Sequence, residues 1–258
     1  MKNSNANSNA NSNANSNANA NANTNISISV IIPTFNAAGS LPLLVERIER
    51  LLADFNLSIV LIDDCSNDNT PDIITSLAKE YRNITYHFST TNRGQQASLH
   101  AGLNLVKKPC DFVVTMDDDL QNPPEEILTL LKEIQKGYDL VYAIPLFSNQ
   151  DKQKHVSLLR RLGSHLRNRL FDSFINKPAG IKVSAFRILT YDLAEKIAGS
   201  QRKYFYLSAE AFQYKIKVSN VFYPFTPRTC GKTSYNFIRL LAVYFRLFTT
   251  YKFNLLSR

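Results

Sequence analysis

Only three cysteines, Cys65, Cys110 and Cys230, occur in the 258-residue chain. They are far apart and odd in number, with no metal or disulfide spacing. That excludes a disulfide scaffold and fits a reducing, cytoplasmic compartment. The chain has no GxxxxGK[ST] element, and no GxGxxG follows its first strand-like run. A P-loop NTPase and a dinucleotide oxidoreductase are therefore disfavoured. No internal repeat with a period of about 20–50 residues is visible. The N-terminus lacks the apolar core of a signal peptide. Asparagine instead fills every odd position from Asn3 to Asn25, with only Ser, Ala or Thr between. Nothing there offsets the entropy of ordering, so residues 1–26 are expected to be a disordered tail. Acidic residues are missing altogether after Glu210. The same stretch carries Lys215, Lys217, Arg228, Lys232, Arg239, Arg246, Lys252 and Arg258, nearly all of the net charge of +9. An anionic partner is implied there: nucleic acid, a membrane surface or a phosphorylated substrate.

What is present reads as a globular α/β chain, with 44% hydrophobic and 20% charged residues. SISVIIPTF (27–35) is β-branched and apolar on both faces, as a strand covered on two sides must be. Helical spacing follows over 40–55, then a strand at 58–64. Thr70-Pro71-Asp72 reads as a helix start: a capping hydroxyl, a first-turn proline and an early acid. Further strands are expected at 84–89, 111–117 and 139–144, with helices at 95–107 and 123–136. Such alternation predicts a doubly wound, mostly parallel sheet. Beyond residue 150 the pattern loosens. It gives a basic helical stretch over 154–175, a short strand near 182–188, helices near 190–199 and 206–214, and a strand over 218–223.

The chemistry concentrates in MDDDLQNPPEEI (116–127). Three consecutive carboxylates repel one another, and they stand at a predicted strand end. In an open parallel sheet, that edge is where ligands bind. Strand alternation would turn Asp117 and Asp119 to one side and Asp118 to the other. Asp63 and Asp64 end a second strand, so two acid-tipped strands would build one polar concavity. Converging carboxylates suit a hard divalent ion, Mg²⁺ or Mn²⁺, which takes its remaining ligands from substrate phosphates. The residues alone thus point to an enzyme acting on a metal-bound nucleotide.

SVIIPTFN (29–36), LIDDCSNDNT (61–70), NRGQQASLHAG (92–102), MDDDLQNPPEEI (116–127) and GKTSY (231–235) stand in the order found in family 2 glycosyltransferases. The chain resembles that family from about residue 27 to 240. The DDLQNPPEEI string is most similar to the polyprenyl-phosphate glycosyltransferases and dolichyl-phosphate mannose synthases. The resemblance implies a GT-A fold, Rossmann-like, over 27–233. It implies that Pro33, Thr34, Asn36, Asp63, Asp64, Gln95 and Asp118 serve the nucleotide-sugar site, together with Arg228, Lys232 and Ser234 near the phosphates. Asp117 and Asp119 match a metal-binding D-x-D, with Gln121 beside the metal and the acceptor phosphate. Two positions depart from the pattern: Cys65 replaces a usual glycine, and Asp118 replaces a usual small residue, leaving open which two acids touch the metal.

The acceptor decides what else is needed. A sugar hydroxyl wants a general base; no single carboxylate stands out for that role, and Glu210, placed before the last strand, is one candidate. A lipid monophosphate, with a second pKa of about 6, is already mostly ionised and needs only cations to hold it. Arg160, Arg161, Arg167 and Arg169 supply suitable planar donors, and Arg160 and Arg167 join Asp119 and Gln121 as the catalytic candidates. His155 and His165 read as surface residues, and His100 as structural. Residues 237–256 (FIRLLAVYFRLFTTYKFNLL) are interrupted by Arg239, Arg246 and Lys252, too often for a spanning helix. An amphipathic basic helix over 234–258, lying in a membrane interface, fits instead. The resemblance here is to shorter synthases that dock on the membrane or on a small membrane partner. The expected protein is a peripheral glycosyltransferase on the inner membrane face, moving a sugar from a UDP- or GDP-sugar to a polyprenyl phosphate. A transferase acting on a saccharide or lipopolysaccharide hydroxyl is the alternative. A silent membrane scaffold has no need of the acids, and a nucleic-acid binder would leave them unexplained.

Overall fold

The computed structural model describes residues 25–146, 177–225 and 250. The tail over 1–24, the basic stretch 154–175 and, Thr250 apart, the proposed interfacial helix lie outside these residues. So do Arg160, Arg161, Arg167, Arg169, Arg228, Lys232 and Ser234. Ile26, included in the expected tail, is partly buried against the core, and its carbonyl accepts from the Asn56 amide at 3.0 Å.

β1 (Ser27–Thr34) is buried at every position. Ile28, Val30 and Ile32 enter one apolar core, and Ile31 enters the other. This two-sided burial is what the unbroken apolar run requires. β2 (Asn56–Asp63), β3 (Ile84–Phe88), β4 (Phe112–Thr115), β5 (Leu140–Leu146), β6 (Arg187–Thr190) and β7 (Val218–Pro224) complete the sheet among the described residues. The order is β3-β2-β1-β4-β6-β5-β7. β1 pairs in parallel with β2 and β4, β2 with β3, and β5 with β7. β6 alone among these strands runs antiparallel, wedged between β4 and β5. The sheet is thus mostly parallel, as predicted, with one reversed strand that the periodicity did not reveal.

α1 (Leu41–Leu51), α2 (Thr70–Glu80) and α4 (Glu126–Ile134) cover one face. α3 (Gln95–Leu105), α5 (Tyr191–Ala198) and α6 (Leu207–Ala211) cover the other. On α1 the buried residues are Leu41, Leu44, Val45 and Ile48, one stripe at helical spacing. Each such side chain contributes about 1.5–3 kcal/mol by leaving water. α3 lies so close to β1 that a Cβ at Gly102 would collide with the Cγ2 of Ile31. Pro33 sits in a central strand, where its missing N–H would break a ladder. Pairing of β1 with β4 ends at Ile31, however, so the proline falls beyond it.

Two local expectations need correction. β4 stops at Thr115, two residues before Asp117, so the acids occupy a loop rather than the strand tip. The hydroxyl of Thr70 does not cap its own helix. It accepts from the Ala37 amide at 2.8 Å, tying the loop after β1 to the start of α2. The short strand expected near 182–188 appears as Arg187–Thr190.

Candidate active site at the carboxyl edge of the sheet

β1, β2 and β4 end on the same edge, and their loops meet there. The Asn36 amide donates to Ser66 Oγ at 2.9 Å, and the Asn67 amide to Asn36 Oδ1 at 2.8 Å. The Ala38 amide donates to Asp68 at 3.3 Å. Each loop also carries one non-glycine residue in the left-handed region: Asn36 (φ 54°), Cys65 (φ 64°) and Leu120 (φ 60°). Such backbone costs energy and gathers at functional sites. The cysteine that replaces the expected glycine therefore still makes the left-handed turn.

The acids ending β2 are buried and satisfied, Asp63 by its own loop and Asp64 by the loop after β3. Asp63 accepts from the Ser66 amide and hydroxyl. Asp64 accepts from the Arg93 and Gly94 amides, at 2.8 and 2.7 Å, and thereby fixes the turn that starts α3. Thr34 is buried, with its hydroxyl on the Ile62 carbonyl at 3.2 Å, and Pro33 is buried within β1.

The acids after β4 are placed differently. Asp117 Oδ1 accepts from the side-chain amide of Gln95, the first residue of α3, and Oδ2 from Asn122 Nδ2 at 3.3 Å. Asp118 turns to β1 and accepts from the Phe35 amide at 3.0 Å. Asp119 accepts from the Gln121 amide at 3.1 Å. Burial, and then the charge of Asp119, push the Asp117 carboxyl above the ordinary range; hydrogen bonds from Asn122 and Gln95 and the charge of Arg187 oppose this. Asp118 is pushed up to about 7, chiefly by burial, with the charges of Asp117 and Asp119 adding to it. Asp118 thus takes its hydrogen bond from the end of β1, and a loop rather than a strand carries it there.

Behind these acids lies a polar network absent from the sequence reading. Arg187 is 3% exposed. Its guanidinium donates to Thr115 Oγ1 at 3.2 Å and to Ser208 Oγ at 2.7 Å, and lies 5.5 Å from the centre of the Tyr142 ring. Tyr142 donates to the same Ser208 at 2.9 Å. Asn122 accepts from the buried Tyr223 hydroxyl at 2.9 Å. The signal for Arg187 was a lone cation between apolar residues of a strand, which a buried arginine shares with many edge positions. Nothing in spacing marked Asn122 or Tyr223. His100 stacks on Phe205 at 4.3 Å and meets the Ala198 carbonyl through Nε2 at 2.9 Å, a structural role as expected. Glu210 is 3% exposed, paired with Arg202 Nε at 3.1 Å and accepting from Ser200 Oγ at 2.8 Å.

Pro33, Thr34, Asn36, Asp63, Asp64, Gln95, Asp117, Asp118, Asp119 and Gln121 thus gather at one edge. Among the described residues, no group of three or more His, Cys, Asp or Glu forms a ready-made metal cage. Two carboxylates whose charges repel are, however, the donor set of a hard cation completed by outside oxygens. Asp117 and Asp119 fit that description.

A sheet of this order, with these acids on its carboxyl edge, has the GT-A fold. Mannosyl-3-phosphoglycerate synthase from Rubrobacter xylanophilus superposes with a TM-score of 0.59 at 14% identity, over 90% of this chain and 74% of that one. Glucosyl-3-phosphoglycerate synthase from Mycobacterium tuberculosis, solved with Mn²⁺, UDP and phosphoglyceric acid, gives 0.57 at 18% identity, over 89% and 78%. The chain belongs to glycosyl transferase family 2, whose model matches residues 29–198. It is similar to the undecaprenyl-phosphate 4-deoxy-4-formamido-L-arabinose transferases of Photorhabdus laumondii and Yersinia enterocolitica, each 29% identical over 86% of this chain. The chain spans 66% of the length of these curated relatives.

Proposed function

We propose that the protein is a metal-dependent glycosyltransferase that moves a sugar from a UDP- or GDP-sugar to a polyprenyl phosphate at the cytoplasmic membrane face. The observation that carries this reading is the crowding of Asp117, Asp118 and Asp119 at the carboxyl edge, with Asp117 and Asp118 both pushed up by burial and by neighbouring charge. The names of the curated relatives support the acceptor. Asp117 and Asp119, with Gln121 beside them, would hold Mg²⁺ or Mn²⁺. The ion, when bound, supplies positive charge to the diphosphate leaving group. Asn36, Asp63, Asp64 and Gln95 line or shape the nucleotide pocket, and Phe35, 45% exposed, offers an aromatic face beside it.

The phosphate acceptor needs no proton removed, because it is already ionised at neutral pH. Glu210 supports this choice from the other side. Its buried carboxylate is committed to Arg202 and Ser200, a poor state for a base toward a sugar hydroxyl. Arg160, Arg161, Arg167 and Arg169 are proposed to hold the acceptor phosphate, and Arg228, Lys232 and Ser234 the donor phosphates. No helix of the described residues is long and apolar enough to cross a membrane. The basic segment 234–258 is proposed to lie in the interface, there or against a small membrane partner.

Labelled sugar nucleotides incubated with Mn²⁺ and polyprenyl phosphate should give a lipid-linked product, and none should form with a lipid-free saccharide. Turnover on the saccharide alone would reject the acceptor assigned here.

A further inference from the structure

Asp117 is gripped at both oxygens by side-chain amides, Gln95 on Oδ1 and Asn122 on Oδ2. An ionised carboxylate only accepts hydrogen bonds, so it dictates that the NH₂ of Asn122 faces it. The amide oxygen of Asn122 must then point away, toward buried surroundings, the residue being 8% exposed. Among the described residues its partner there is the hydroxyl of Tyr223, 2.9 Å away on β7, itself 2% exposed. Tyr223 is held from behind by Phe186, edge to face at 6.2 Å between ring centres. Burial, with the charges of Asp117, Glu126 and Asp119 added, pushes the Tyr223 hydroxyl up to about 12, which keeps it a donor at any working pH. A strand residue 101 positions along the chain therefore closes a donor chain that ends on the carboxylate of Asp117.

We propose that Tyr223 is a positioning residue: acting through Asn122, it fixes the Asp117 carboxylate in the orientation that receives a divalent cation. The inference rests on the metal reading given above. An Asn122 amide without the tyrosine has a buried carbonyl unpaired, which favours rotation of the amide and loss of its grip on Asp117. Each carboxylate oxygen keeps further acceptor capacity for an ion while gripped in this way. Outer partners of this kind commonly change metal affinity by about 10–100-fold.

The test titrates Mn²⁺ alone into the full-length protein by calorimetry, with Tyr223→Phe, Asn122→Ala and the double variant beside the parent. Each single change should weaken Mn²⁺ binding by about ten-fold. In the Asn122→Ala background, Tyr223→Phe should add no further loss, because its only route to the metal is gone. In turnover, the Mn²⁺ requirement should rise while kcat at saturating Mn²⁺ changes far less. Single variants that bind Mn²⁺ as the parent does overturn the proposal, as do losses that multiply in the double variant. Should Tyr223→Phe fail to fold, unchanged affinity in Asn122→Ala overturns it alone. A parent that binds no Mn²⁺ removes both the metal reading and this inference, whereas a binding parent with indifferent variants removes only the inference.

Discussion

The acids that end β2 and those that follow β4 are alike in sequence and unlike in physical state. Asp63 and Asp64 are buried, and each carboxylate is satisfied by donors from its own surroundings, two of them backbone amides at the start of α3. Their charge holds loops in place. Asp117, Asp118 and Asp119 also accept hydrogen bonds, yet the carboxyls of Asp117 and Asp118 are pushed upward, because burial and like charge outweigh their donors. The difference teaches that a run of acids is not by itself a metal signal. What marks the second group is burial first and like charge second at Asp117 and Asp118, and the cation is proposed to sit there.

The largest effect expected from this contrast is on turnover. Asp119→Ala should lower kcat by about a hundredfold or more while the far-ultraviolet circular dichroism stays unchanged. A rate equal to the parent's would erase the distinction between the two groups. The next effect is on stability. In metal-free buffer Asp118 has its folded pKa raised to about 7 from 3.8. The native state then holds a proton that the unfolded chain has lost, so stability is greatest below the unfolded value and falls as pH rises through about 7. Asp118→Asn should remove that slope in urea unfolding between acid and neutral pH, a gain at neutral pH on the order of a few kcal/mol. A slope that survives the substitution would count against the raised Asp118 carboxyl. Asp64→Ala should act in the opposite sense and less strongly. It strands two backbone N–H groups and should cost about 1–3 kcal/mol in the same unfolding experiment. If it stabilised the protein, the two acid groups would be equivalent after all.

Much of this arrangement could be read from residue order, for reasons that are local. The apolar run of β1 has to be covered on both faces, and the stripe on α1 has to face a core. Thr70-Pro71-Asp72 starts a helix because proline tolerates the first turn, even though the threonine hydroxyl serves another loop. The direction of β6 was not legible. Four residues, Arg187–Thr190, look the same in either sense, and only their pairing with β4 and β5 decides it. The end of β4 was misread because Met116 and Asp117 continue the alternation after the ladder has stopped. The meeting of Asp64 and Asp117 on one edge followed from strand topology, whereas Asn36 and Gln95 were pointed to only by the family resemblance. The supports from Asn122, Tyr223 and Arg187 followed from neither, because they depend on side chains brought together across 72 and 101 positions.

The reversed strand has one more consequence. β5 runs with β4 and leaves the sheet at Leu146 on the acid-bearing edge. β6, because it runs the other way, begins with Arg187 opposite Thr115 on that same edge. β5 therefore leaves the sheet, and β6 enters it, at one rim, the rim that carries the acids. Had β6 been parallel, its entrance would lie at the far side of the sheet, and Arg187 would stand a strand's length away from the acids it now backs.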